Sequence, residues 1–179
     1  MSDKKKHYRW RAYLDDFQMD ATGKYIYTGK RYGFDGEPRK RRIYLALVVL
    51  FGLLSLLATA VPECLPPTEI SRTPLTLIPW ALQLIAALVV SWAILRIFAH
   101  ASELRAYVYR RTVASLPVKS LVLAALSAVT LICETVCYFV KGLSPEPFTL
   151  VRLFCPALSA AAALLLFFAL RRGKWIELP

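Results

Sequence analysis

Four stretches of this chain, each 19 to 22 residues long, carry almost no charge: Ile43–Val61, Leu75–Leu95, Ser120–Val140 and Thr149–Leu170. About 20 helical residues cross the hydrocarbon core of a bilayer. No water is available there, so a spanning segment must satisfy its own backbone N–H and C=O groups as a helix or within a closed barrel. Four such stretches predict an all-α membrane protein with four transmembrane helices. A mean hydropathy of +0.47 and 57% hydrophobic residues point the same way, since ordinary soluble domains are nearer one half apolar.

The 179 residues divide into a basic, aromatic cytoplasmic head (1–42), a four-helix transmembrane bundle (43–171) and a short cytoplasmic tail (172–179). Lys and Arg favour the cytoplasmic side of a membrane protein. Twelve of them lie in the head, with Arg96, Arg105, Arg110, Arg111 and Lys119 in or beside the middle connection and Arg171, Arg172 and Lys174 at the end. The other two connections hold only Arg72 and Lys141, offset by Glu63, Glu69 and Glu146. Both termini are therefore expected inside and the helices are expected as two in–out–in hairpins, in a bacterial plasma membrane. This asymmetry accounts for the net charge of +11 without nucleic acid as a partner; the lipid bilayer is the expected one. The first helix is expected to serve as its own insertion signal, because a polar stretch of 42 residues precedes it without a small-residue cleavage site. Ser2 and the ending Glu177-Leu178-Pro179 fit no lipidation motif.

In the head, Lys24-Tyr25-Ile26-Tyr27-Thr28 alternates like a strand between the turns Thr22-Gly23 and Gly29-Lys30. Tyr8 to Phe17 is the candidate partner in a hairpin, which is marginal alone and needs a surface to lie on. Tyr8, Trp10, Tyr13, Tyr25 and Tyr27, together with Arg41, Arg42, Arg110 and Arg111, are the candidate contacts with lipid head groups or a partner protein. Asp15-Asp16 and Asp20 lack the order of a calcium loop and read as solvated turn residues. No metal or other cofactor is expected, since His7 and His100 fall on the side away from the cysteines.

The first helix has nothing more polar than Ser55 and Thr59 and reads as packing without chemistry. From Trp80 to Leu116 there is neither Gly nor Pro, and Ile97, Phe98, Ala101, Leu104 and Val108 continue one apolar face. The second helix is accordingly expected to run to about Arg111. Ser115-Leu116-Pro117 then starts the third helix. Pro74–Ile78 and Pro147–Val151 open the second and fourth helices alike, and both close on a Leu-Arg step. The echo points to a parallel duplication about an axis normal to the membrane, although the first and third helices align poorly.

Two charges interrupt the apolar stretches. Glu134 falls about seven residues below the outer end of the third helix, and Arg152 four or five below the start of the fourth. Their depths agree, so a Glu134–Arg152 pair across the hairpin is expected. It would either fix the register of the two helices or line a cavity that meets a proton, an anion or a lipid head group; the remaining alternative is that Arg152 snorkels outward while Glu134 stays protonated. All four cysteines lie on the outer half. Cys133 and Cys137 are four apart on one helix, at a Cβ separation of about 5–6 Å that a disulfide does not span without distortion. A bridge from Cys64 or Cys137 to Cys155 stays open, beside the simpler role of apolar filler. Pro156 loosens the start of the fourth helix, where an anionic group could bind beside Arg152. Ala157 and Ser159–Ala163 offer a close approach to another helix, within the bundle or in self-association.

No catalytic signature is present. The first functional expectation is a non-enzymatic accessory or scaffold subunit of a membrane assembly, holding a partner protein through the head. The alternatives are a small oligomeric transporter or channel using Glu134 and Arg152, and a membrane thiol oxidoreductase using Cys137 and Cys155.

Overall fold

A computed structural model describes residues 17–19, 23, 25–27, 29–70, 73–99, 104–143 and 146–178. In chain order its elements are β1 (Phe17–Met19), β2 (Tyr25–Tyr27), β3 (Arg31–Phe34), α1 (Pro38–Cys64), α2 (Pro74–Ala99), β4 (Leu104–Arg105), α3 (Ala106–Arg111), α4 (Leu116–Val140), α5 (Pro147–Arg172) and β5 (Trp175–Leu178). The protein is mostly helical, and α1, α2, α4 and α5 are long and apolar enough to cross a membrane.

Each of these four helices has proline at its first or second residue, Pro38, Pro74, Pro117 and Pro147. Proline is suited to that place because its torsion is preset and the N–H it lacks would have had no helical partner. α1, α2 and α5 overrun their uncharged stretches at both ends and α4 at its start, so that Arg39–Arg42 ride on the first turns of α1 and Arg171 and Arg172 on the last turn of α5. At about 1.5 Å per residue, 26 residues reach roughly 39 Å, past a hydrocarbon core of about 30 Å and into the head-group layers.

The helices close into a ring in which α1 packs on α2, α2 on α4, α4 on α5 and α5 on α1. Gly52 allows the α1–α2 approach, since a Cβ there would collide with Ile94 Cδ1. The large apolar side chains point outward: Ile78, Ile85, Trp92, Ile132 and Phe168 are exposed, and Phe139 and Phe154 are 73% exposed. The small and polar residues of the same helices point inward, among them Ser55, Thr59, Gln83, Ser127, Thr130 and Ser159. Water would reverse this arrangement, whereas hydrocarbon demands it. The protein is thus an integral membrane bundle.

One end of the bundle carries a sheet assembled from three distant parts of the chain. β3 is central and antiparallel to both neighbours, with Tyr32 opposite Leu104 of β4 and opposite Glu177 of β5. Tyr32 stacks on Tyr109 at 4.3 Å between ring centroids, while Phe34 meets Tyr44 of α1 at 5.1 Å and Trp175 of β5 at 5.7 Å. Outside this aromatic layer, Lys30 Nζ pairs with Glu177 Oε1 at 2.8 Å, and the carboxylate holds the lysine above its ordinary value of 10.5. Head, middle connection and tail therefore form one cap. The tail is a strand of that sheet, a role its composition did not announce.

Two expectations are corrected here. The second helix stops at Ala99 instead of running to about Arg111. Leu104 and Arg105 leave helical geometry to pair with Tyr32 and Arg31, and Leu104, fully buried, joins Val90, Ile94, Ile97, Val108 and Leu166 in the apolar core. The apolar face that continued past the membrane edge is used by the cap. Tyr27, expected at a lipid or partner interface, is only 7% exposed. Its hydroxyl donates to Lys30 O at 3.3 Å and accepts from Ala106 N–H at 3.2 Å, and Arg105 lies over its ring. It locks the head to the middle connection.

The hairpin of the head pairs Tyr25–Tyr27 with Phe17–Met19 in antiparallel register, so its first strand starts where the expected partner Tyr8 to Phe17 ends. Tyr8, Trp10, Tyr13, Asp15-Asp16, Asp20, His7, His100 and Arg72 lie outside the described residues. Tyr25 is in β2, Arg41 is half-buried on α1, and Arg42, Arg110 and Arg111 are exposed around the cap.

Candidate functional site

The interior of the bundle changes character along its length. Toward the cap it is filled by Val48, Ala87, Val90, Ile94, Leu123, Ala163 and Leu166, a continuous apolar core. Toward the opposite end the buried positions of all four helices turn polar. This division follows from the sequence of each helix. On α1 the inward residues run Val48, Gly52, Ser55, Thr59, Pro62, and on α4 Leu123, Ser127, Thr130, Glu134, at spacings of three to four that keep one face inward.

The deeper polar tier is a node to which every spanning helix contributes. Gln83 of α2 donates through Nε2 to Thr59 Oγ1 of α1 at 3.0 Å and to Ser159 Oγ of α5 at 3.2 Å. Ser159 Oγ lies 3.2 Å from Thr59 Oγ1 and 3.1 Å from Ser127 Oγ of α4. Thr59 and Ser127 also return their hydroxyls to carbonyls of their own helices, Ser55 O at 2.8 Å and Leu123 O at 2.9 Å. The amide oxygen Gln83 Oε1 is buried with no hydrogen-bond partner.

Two turns away, roughly 10 Å at ~1.5 Å per residue, lies the charged tier. Arg152 is 2% exposed and Glu134 3% exposed. Both are inside the bundle, but they do not form the expected pair. Arg152 Nη2 bonds Glu63 Oε1 at 2.9 Å and Pro62 O at 3.1 Å. The reason lies at the end of α1. That helix does not stop at Val61 but continues through Pro62 to Cys64, which lifts Glu63 to the height of Arg152. Glu63 keeps 31% of its side chain exposed, whereas Glu134 is 3% exposed. Among the described residues Glu134 has no hydrogen bond and no ion pair; Oε2 is buried and unpartnered, with Arg152 and Glu63 as the charges acting on it. Arg152 Nε is likewise buried without a partner.

Prolines loosen the same half of the bundle. Pro62, Pro79 and Pro156 lie inside α1, α2 and α5. Each lacks the N–H that would bond the carbonyl four residues earlier, so the carbonyls of Ala58, Leu75 and Arg152 lose their helical donors. The mouth is covered by the α1–α2 connection. There Ile70 is fully buried, Thr76 Oγ1 donates to Ile70 O at 2.6 Å, and Lys141 Nζ at the end of α4 donates to Glu69 O and Thr73 Oγ1, each at 3.0 Å.

Buried acceptors and a donor without partners among the described residues, Gln83 Oε1, Glu134 Oε2 and Arg152 Nε, can take up a proton, a small ion or a polar group that completes their bonds. The cysteines do not converge in the same way. Cys64 is exposed, Cys133 and Cys155 are half-buried, Cys137 is buried, and all four are free thiols. No group of histidine, cysteine and carboxylate side chains suited to a metal ion occurs among the described residues.

Sequence reasoning reached Glu134 and Arg152 because a charge inside an apolar stretch is conspicuous. It passed over Glu63, counted as a loop charge, and Gln83, which hydropathy averages away. The signal for Gln83 was available: it is the one carboxamide in the four apolar stretches. No protein family, curated protein or solved structure matches this chain.

Proposed function

We propose that the protein is a small membrane transporter or channel component that takes a proton or a small anion into the polar half of its bundle. The observation that carries this reading is Glu134, only 3% exposed and without hydrogen bond or ion pair among the described residues, beside an arginine whose own Nε is unpartnered among them. A side chain placed only to hold helices together would be expected to have its bonds completed by its neighbours. The cap end carries Arg39, Lys40, Arg96, Arg105, Arg110, Arg111, Lys119, Arg171 and Arg172, whereas the connections at the other end hold only Arg72 and Lys141, besides the buried Arg152. On the positive-inside rule the cap and both termini face the cytoplasm, α1–α2 and α4–α5 are the two hairpins, and the polar half lies on the outer side. The apolar core below it makes the resting state closed toward the cap, so passage requires the helices to rearrange around Gly52 and the three internal prolines.

The test is flux in proteoliposomes, with imposed proton and chloride gradients followed separately by dyes. The protein is expected to dissipate at least one gradient faster than protein-free vesicles, and Glu134→Gln or Arg152→Gln to return that rate to the background. Wild-type protein that dissipates neither would overturn the reading.

A second reading, an accessory subunit that holds a partner protein or another copy of itself, rests on the cap. A sheet tying head, middle connection and tail is more structure than a bundle needs merely to sit in lipid. Chains that co-purify in mild detergent, and are lost when Trp175–Leu178 is removed, would favour it. The thiol-exchange reading gains no support from four unpaired cysteines.

A further inference from the structure

On the lipid-facing side of α2, near the cap, a cleft of about 510 Å³ lies outside the polar interior. Its lining includes Leu88, Val89, Trp92 and Arg96 of α2, Arg111 at the end of α3 and Lys119 in the first turn of α4. Its two ends differ. Leu88, Val89 and Trp92 are all exposed apolar side chains, forming a strip that ends at Arg96. From Leu88 to Arg96 is eight residues, about 12 Å at ~1.5 Å per residue. At that end three cations from three helices come together, and no acidic residue is among the described residues that line the cleft.

Lys119 Nζ donates to Arg111 O at 3.3 Å. The Arg96 guanidinium lies 6.0 Å from the centre of the Trp92 ring. The cleft sits where α2 leaves the apolar stretch, at the level of the head groups. An apolar trough parallel to the helix, closed at the head-group end by three positive charges, has the shape and charge of one molecule: a phospholipid with an anionic head group, its acyl chain along Leu88, Val89 and Trp92 and its phosphate among Arg96, Arg111 and Lys119. We propose that this cleft is a specific binding site for such a lipid. Basic pockets between transmembrane helices recognise anionic head groups in this way. The inference needs only that the bundle sits in a bilayer, and is independent of any transport through it.

The test uses the full chain reconstituted in an equimolar mixture of phosphatidylglycerol and phosphatidylcholine, extracted in mild detergent and weighed by native mass spectrometry. Wild type is expected to retain phosphatidylglycerol over phosphatidylcholine. Arg96→Gln, Arg111→Gln and Lys119→Gln are each expected to reduce that preference about fivefold, and the three together on the order of 100-fold. Arg171→Gln with Arg172→Gln, which removes charge elsewhere at the same end, should leave the preference intact. Trp92→Ala should shorten retention of phosphatidylglycerol while keeping the preference. The proposal is overturned if wild type holds the two lipids equally, if the triple variant keeps the preference, or if the Arg171/Arg172 variant loses it as fully. It is overturned too if inorganic phosphate at millimolar concentration displaces the bound lipid, which would make the site one for free anions.

Discussion

Arg152 illustrates how a single residue is tolerated inside a membrane bundle. A guanidinium in hydrocarbon is costly unless paired, and the structure supplies Glu63 and the Pro62 carbonyl on the neighbouring helix. Removing Glu63 strands the arginine. Breaking a wholly buried pair costs about 3–5 kcal/mol; because Glu63 is partly wet, Glu63→Ala should cost about 2–3 kcal/mol, a fall in Tm of roughly 5–10 °C in detergent. Lys30→Ala, which breaks an ion pair exposed on both sides, should leave Tm unchanged at neutral pH. The lysine's value is raised by Glu177, so what that pair contributes is present below pH 10.5 and is lost only as pH rises past the raised value. A Tm for Glu63→Ala as high as that of Lys30→Ala would show that Arg152 finds another partner, for which the buried Glu134 is a candidate. Glu134 and Arg152 were legible in the sequence because each breaks an apolar run. The partner of Arg152 was not, since pairing depends on where α1 ends, and a proline inside that helix hid the answer.

At the scale of elements, the four spans were readable because hydropathy over 20 residues integrates a strong signal, and even their starting prolines stand in the text of the chain. The cap was not. Its strands are two to four residues long, and β3, β4 and β5 are joined by residues near 31, 105 and 178, so no local window contains the pairing. The uninterrupted stretch after Trp80 has good local helical character, yet burial of Leu104 and Val108 against the bundle outweighs it, an override of propensity by tertiary packing. Gly173 shows how closely the tail is fitted, since a Cβ there would come within 2.6 Å of the Tyr44 ring. Deleting residues 173–179 removes Trp175 from the aromatic layer and leaves β3 with only the two-residue β4 as a neighbour. Limited proteolysis of that truncated protein should cut within 29–37, where the full chain is resistant, while the spanning helices stay intact. Equal resistance in both would mean that β5 contributes little to the cap.

Across the whole molecule, polarity is distributed along two directions. From outside to inside the bundle inverts the order of a soluble protein, with Phe139 and Phe154 facing lipid and Ser127 and Ser159 facing one another. From the cap to the far end the interior passes from a sealed apolar core to hydroxyls, an amide and then charges. The ring order also sets α1 across from α4 and α2 across from α5, the placement that a two-fold axis along the bundle would give the duplicated hairpins read from Pro74–Ile78 and Pro147–Val151. The proposed function rests on the second gradient: it requires that water and solutes reach the polar half and that the apolar half act as a plug. Single cysteines at Glu134, Ser127, Leu123 and Ala163, in a protein whose four native cysteines are replaced by serine or alanine, measure it directly when a membrane-impermeant thiol reagent is added from the side opposite the cap. Reaction at Glu134→Cys and Ser127→Cys, with Leu123→Cys and Ala163→Cys unreactive, is the predicted result. Equal protection at all four positions would contradict it and reduce the polar tier to a means of packing helices.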